Sequence, residues 1–227
     1  LAALHGVIGV LLALYHRRAH GGPGQVIDVA LHEAVFNCME SLIPEYSAFG
    51  TVRQPAGSAL PGIAPSNAYA CQDGWVLVAG NGDSIFKRLM ATIDRQDLAD
   101  DAQLADNAGR VARVAEIDAA IGTWTGQHSV AQVMERLAAA RVPAGKVYTA
   151  KDIAEDPHYQ ARAMLLQQQT RDGYSITVPG VVPKLSATPG TVRTSAPHLG
   201  DDTDAVLAEA GLTQEQIALL RGKGVIQ

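Results

Sequence analysis

Four clusters of residues in this chain have types and spacings that invite chemistry. His16 and His20 stand four apart, on one face of a helix, a spacing that binds zinc when a third ligand arrives. The residues between them are Arg17, Arg18 and Ala19, so a zinc-protease glutamate is missing and two cations would repel a metal. The pair reads instead as positive charge at a helix C-terminus, which the helix dipole favours. Cys38 and Cys71 have no Cys-x-x-Cys or Cys-x-x-His partner and read as small buried apolar residues. Gly80-Asn81-Gly82-Asp83 precedes a helix and could offer backbone N–H groups to a phosphate. It lacks the third glycine of a dinucleotide fingerprint and the lysine of a P-loop, and Asp83 would oppose an anion while making a good N-cap. Asp201-Asp202-Thr203-Asp204 matches half a calcium loop without its glycine and closing glutamate, and reads as the acidic start of a helix.

The remaining candidate is Gly57-Ser58-Ala59-Leu60-Pro61-Gly62-Ile63-Ala64-Pro65. It closes Thr51–Pro65, which holds three prolines and two glycines in 15 residues and no apolar period. Its first half is flexible enough to fold over a ligand, and its second half is too stiff to move far. From composition alone, a functional loop and an ordinary linker stay equally open. No Ser-His-Asp or Cys-His set appears and no metal site is expected. The residues taken singly describe an α/β or α+β protein without a self-contained catalytic set.

The elements that must hold these residues follow from pattern. Leu1–His20 reads as a helix stopped by Gly21-Gly22-Pro23-Gly24, because proline cannot continue it. Gln25–Leu31 reads as a short buried strand, and His32–Phe49 as a helix bent or broken at Pro44. Asn67–Gln72 and Trp75–Gly80 flank Asp73-Gly74 as a hairpin. Helices follow at Ser84–Ile93, Arg113–Trp124 and Val130–Ala140, the last opened by the capping box Ser129-x-x-Gln132. Arg141–Tyr148 reads as a strand, Leu165–Thr170 and Tyr174–Val178 as a strand pair. Asp201–Ala210 and Gln214–Arg221 read as helices, the second capped by Thr213-x-x-Gln216.

With 227 residues, 47% hydrophobic and 18% charged, the chain is too apolar for disorder and long enough for a real core. Its net charge of −5 excludes a basic surface for nucleic acid or anionic lipid. Two cysteines cannot build a disulfide framework, which favours a reducing, cytoplasmic setting. The apolar stretch Leu1–Tyr15 is shorter than the roughly 20 residues of a membrane span. Its basic residues follow rather than precede it, unlike a signal peptide. It reads as a buried helix. The absence of an initiator methionine leads to the expectation of a processed start or a longer protein.

Taken in order, several segments resemble the class III CoA-transferases (the carnitine-dehydratase-like, bile-acid-inducible-protein-F family). Gly24-Gln25-Val26-Ile27-Asp28-Val29-Ala30-Leu31-His32-Glu33-Ala34 resembles the family's strand-to-helix junction. Ile63-Ala64-Pro65 with Tyr69 and Asp73-Gly74 is similar to its entry to the small domain, and Gly80–Leu89 to a family helix start. Val142-Pro143-Ala144-Gly145, Asp152 and Asp156-Pro157-His158 are similar to a third motif. Leu185-Ser186-x-Thr188-Pro189 and Ala196-Pro197-His198-Leu199-Gly200 are similar to the family's tail.

The resemblance implies an α/β fold. Residues 1–55 would end the first pass of a Rossmann-like large domain, 56–148 form an α+β small domain, and 149–227 return to the large domain. It also implies that two subunits interlock as rings in a homodimer. The implied reaction moves CoA from an acyl-CoA to a carboxylic acid, through an aspartyl acyl and an aspartyl-CoA intermediate. Coenzyme A is then substrate, with no tightly bound cofactor. The aspartate would lie upstream of Leu1, so no catalytic residue is expected in this chain, and the chain alone would be inactive. Gly57, Ser58 and Gly62 fall where the family's glycine-rich loop closes over CoA and the acyl group and excludes water. Here the loop reads Gly-Ser-Ala-Leu-Pro-Gly rather than as a glycine run, and Asp201-Asp202 replaces a common Glu-His. The same fold hosts α-methylacyl-CoA racemases, the alternative enzyme reading. A non-catalytic oligomerisation fragment is the alternative outside enzymes.

Overall fold

The computed structural model describes all 227 residues. Helix α1 (Ala2–His20) stops at Gly21 as expected, with Arg17, Arg18 and His20 in its last turn. The expectation of a buried helix is not met: none of its residues is buried, and Leu4, Leu11, Leu12 and Tyr15 are mostly exposed. Its apolar residues point all round, the pattern of a helix that belongs inside a larger core. Within this chain one side is approached by Ile27; a methyl on Gly9 would sit 2.9 Å from Ile27 Cγ2, so glycine permits that contact. No helix is long and apolar enough to cross a membrane.

The expected strand at Gln25–Leu31 is absent. The segment has no regular structure before α2 (Leu31–Phe36), and Val26 is 94% exposed. A strand needs a neighbour for its N–H and C=O groups, and the strands of this chain pair among themselves elsewhere. The expected long helix divides into α2 and α3 (Leu42–Phe49) at Asn37–Ser41 rather than at Pro44. Pro44 lies in the first turn of α3, where a missing N–H costs no intrahelical bond. Cys38 sits in the connecting turn, where nothing covers it; it is exposed rather than buried, and Cys71 is half-buried.

Strands β1 (Ser66–Cys71) and β2 (Gly74–Ala79) pair antiparallel with Cys71 opposite Gly74. The turn is therefore Gln72-Asp73, one residue earlier than the Asp-Gly pattern suggests. Then come α4 (Asp83–Thr92), α5 (Gln96–Ala99), α6 (Asn107–Ala112), α7 (Val114–Thr125) and α8 (Val130–Ala139). The Ser129–Gln132 capping box forms at α8, and Asp73 Oδ1 accepts the Val130 N–H at 2.7 Å, which fixes the hairpin turn against that helix. Strand β3 (Ala144–Lys146) completes a β1-β2-β3 sheet, antiparallel to β2.

Seventeen buried residues between Tyr69 and Val142 form the core. Period decides membership: Val76 and Val78 point inward while Trp75 and Leu77 remain exposed, the alternation of a half-covered sheet. On α7, Ile117, Ile121 and Trp124 recur at helical spacing; on α8, Val130, Val133 and Leu137 do so. Fully burying a side chain of this kind contributes roughly 1.5–3 kcal/mol. The remainder comprises α9 (Ala150–Glu155), α10 (Pro157–Ala161), the hairpin β4 (Leu165–Gln169) and β5 (Ser175–Pro179), α11 (Thr203–Glu209), and α12 (Gln214–Gly222) with its Thr213–Gln216 capping box. Outside the core region only Ala34, Ala64, Pro65 and Ile217 are buried.

Candidate functional site

The loop before β1 is built from glycine geometry and polar clamps. Gly57 and Gly62 hold φ of +62° and +80°, a left-handed backbone that costs other residues about 1–2 kcal/mol. A Cβ at either would meet open space, so backbone conformation rather than crowding selects glycine there. The loop turns back on itself through the Ala59 N–H to the Ala56 carbonyl at 3.2 Å. The Leu60 N–H then reaches the Ser66 carbonyl at 3.1 Å.

The second half is fixed from α6. Asn107 donates from Nδ2 to the Gly62 carbonyl at 2.9 Å and accepts the Ala64 N–H on Oδ1 at 3.1 Å. Asp106 caps this helix by accepting the Gly109 N–H at 2.9 Å, which sets where Asn107 stands. Arg110, nearly one turn on, is fully buried. Its Nε donates to the Ala64 carbonyl at 3.0 Å. The terminal nitrogens donate to the carbonyls of Leu104 (3.1 Å), Ala105 (3.3 Å) and Asn81 (2.7 Å), and to the Asp83 carboxylate (2.8 Å). The guanidinium lies 5.2 Å from the Phe86 ring centre. A buried cation is tolerated only with such complete pairing. The stiffness expected of Gly62–Pro65 thus comes from these clamps as well as from proline.

The first half is held differently. Ser58 Oγ donates to Asn67 Oδ1 at 2.7 Å, its one side-chain tie. Asn67 Nδ2 donates to Asp118 Oδ2 at 3.0 Å, and Tyr69 OH donates to Asp118 Oδ1 at 2.6 Å. Strand period places Asn67 and Tyr69 on one face of β1, opposite α7, which carries Asp118. Burial first, and the Asp118 hydrogen bond second, push the Tyr69 phenol well above its ordinary pKa, so it stays a donor. Gly57 and Ser58 are exposed at the tip.

The other candidates resolve into structure. His16 and His20 stack near the end of α1 with ring centres 5.2 Å apart, and no group of three or more His, Cys, Asp or Glu side chains is placed to hold a metal. Asp83 is not the cap of α4; Gly82 occupies that position and the carboxylate turns to Arg110. Asp201 and Asp202 pair with Arg171, and Asp204 with Arg221. Asp152 closes a capping box with Thr149, and its carboxyl is held well below the usual carboxylate range by Lys146 first and the Thr149 N–H second. Asp156 caps α10 ahead of Pro157. Asn107, Arg110 and Asp118 carry the loop, yet their partners in the loop and β1 lie more than 40 residues away and no local spacing marks them.

The family model for CoA-transferase family III matches residues 1–203. Succinyl-CoA–D-citramalate CoA-transferase of Chloroflexus aurantiacus is 40% identical over 228 residues, covering 100% of this chain and 56% of that relative. The beta subunit of succinyl-CoA–L-malate CoA-transferase of the same organism is 38% identical, with the same two coverages. The chain therefore spans little more than half the length of the curated relatives it matches. Among solved structures, a CAIB/BAIF family protein from Brucella suis is 29% identical with a TM-score of 0.73, over 92% of this chain and 53% of that one. The mixed α/β architecture of small sheets and helices is thus one that solved CAIB/BAIF proteins share.

Proposed function

The chain belongs to CoA-transferase family III, and on that premise we propose that it forms part of an enzyme moving CoA from succinyl-CoA to a small dicarboxylic acid such as citramalate or malate. The observation that carries the reading is the likeness, along the whole chain, to two transferases named for a succinyl-CoA donor. In the proposed reaction an aspartate outside these 227 residues attacks the thioester carbonyl. The C–S bond breaks, CoA leaves as thiolate, and an acyl anhydride remains on the enzyme. The thiolate attacks the enzyme's acyl carbon, which frees succinate and leaves an aspartyl-CoA thioester. The acceptor carboxylate repeats both steps in reverse and restores the aspartate. The covalent steps together divide one hard displacement into easier ones.

Within this reading Gly57, Ser58 and Gly62 lie over CoA and the acyl group. An exposed tip beside a clamped base supports that role: the tip, tied by the Ser58–Asn67 bond, covers the anhydride from water, while Asn107 and Arg110 keep its base in register. The same reading assigns residues 56–148 to a small domain and 1–55 with 149–227 to a large one. The core confined to Tyr69–Val142 supports this. It includes a homodimer and a cytoplasmic setting, the latter in keeping with two free cysteines.

The test is chromatographic. The protein at its natural full length, given succinyl-CoA and D-citramalate, is expected to yield citramalyl-CoA and succinate in equal amounts. Failure to transfer CoA to any dicarboxylate, together with exchange of the α-proton of a 2-methylacyl-CoA in deuterated water, would instead establish a racemase.

A further inference from the structure

Ser58 has one proton, and the structure commits it. The Asp118 carboxylate can only accept, so it draws the Asn67 amide nitrogen toward itself at 3.0 Å and turns the amide oxygen outward. That oxygen takes the Ala68 N–H at 2.8 Å and the Ser58 hydroxyl at 2.7 Å. Tyr69 OH occupies the other Asp118 oxygen at 2.6 Å, which keeps the carboxylate from turning away. The polarity therefore runs one way, from Ser58 through Asn67 to Asp118. What remains free on Ser58, at an exposed loop tip, is a pair of acceptor lone pairs whose basicity the chain of bonds raises.

We propose that Asp118 and Asn67 are positioning residues that fix Ser58 as a hydrogen-bond acceptor for an O–H or N–H donor on the bound substrate, so that the loop selects for a donor group rather than for a carboxylate. This rests on the CoA-transferase reading and on the placement of the loop over substrate. Two groups in the proposed reaction carry such a donor: the hydroxyl of a hydroxy-acid acceptor, and the amide N–H of the pantetheine arm of CoA. A substrate carboxylate would find no proton available at Ser58 and would meet the lone pairs instead.

Steady-state kinetics of the full-length enzyme separate the two sources. D-citramalate and 2-methylsuccinate differ only by the hydroxyl. Ser58→Ala is expected to raise one KM by about five-fold, the worth of one ordinary hydrogen bond. A rise for citramalate alone, with methylsuccinate unmoved, assigns Ser58 to the acceptor hydroxyl; a rise for succinyl-CoA with both acids assigns it to the pantetheine amide. Neither KM moving by as much as two-fold in an active enzyme overturns the proposal.

Asp118→Asn lets the Asn67 amide turn over and is expected to reproduce the Ser58→Ala effect. The exchange Asn67→Asp with Asp118→Asn rebuilds the same polarity, because the new carboxylate accepts from Ser58, Ala68 and the new amide. That double variant is expected to recover the wild-type KM and most of the Tm that Asn67→Asp alone loses. A double variant no better than the single ones in both measurements refutes the relay. A wild-type enzyme that transfers no CoA defeats the transferase reading and the substrate clause with it, while the Tm comparison still decides the relay.

Discussion

Removing Arg110 is the sharpest perturbation of the region beneath the loop. Its guanidinium is buried, packs on Phe86 and satisfies the carbonyls of Ala64, Leu104, Ala105 and Asn81. Asn81 and Ala105 are within reach of water, but Ala64 and Leu104 are each 1% exposed. Arg110→Met keeps the packing of the stem and deletes every hydrogen bond. Leaving two interior carbonyls unpaired costs about 1–3 kcal/mol each, which gives a loss of about 2–6 kcal/mol. Asp83 adds little, since its carboxylate is exposed and water takes over its solvation when the guanidinium is removed. Arg110→Ala adds a cavity and should lose somewhat more. Urea unfolding followed by tryptophan fluorescence measures this, because Trp124 lies in the core, 7% exposed. If Arg110→Met unfolds within about 1 kcal/mol of the wild type, the side chain is not the strut described here and the paired-burial reasoning fails.

Other consequences are equally direct. At Gly109 an added methyl would lie 1.7 Å from the Gln103 carbonyl oxygen, so Gly109→Ala should cost about 3 kcal/mol or more and depress Tm clearly; an unchanged Tm would show that α6 can shift freely. Gly57→Val or Gly62→Val in the full-length enzyme should lower CoA transfer about ten-fold or more with only a few degrees lost in Tm, because the strain falls on an exposed loop; equal losses in rate and stability would make the loop a linker. Arg53, by hydrogen bonding first and Ser41 second, holds the Glu45 carboxyl at about 2. The folded pKa is below the unfolded one, so this contribution is present above pH 4.5 and lost as the pH falls toward 2. NMR titration should find that midpoint and Arg53→Gln should return it toward 4.5; a wild-type midpoint at 4.5 contradicts the pairing.

Local signals and the mixed α/β class read true from the sequence, while contacts that depend on distant residues did not. The capping boxes at Ser129 and Thr213 form as read because donor and acceptor lie within one turn. Trp75–Ala79 alternates as a half-buried strand must. Gln25–Leu31 has strand composition yet stays irregular, because pairing depends on neighbours that composition does not describe. Asp83 has the type and place of a cap for its own helix, but its partner, Arg110, lies 27 residues away. Gly57, Ser58 and Gly62 were legible as a loop. Asn107, Arg110 and Asp118, which fix that loop, became visible only once the chain was folded.

Mass spectrometry of the full-length protein, quenched during turnover with succinyl-CoA and digested, bears most directly on the transferase reading. A CoA thioester on an aspartate outside these 227 residues is the expected result. An adduct on any side chain within them, or no adduct under conditions where CoA is being transferred, would contradict it.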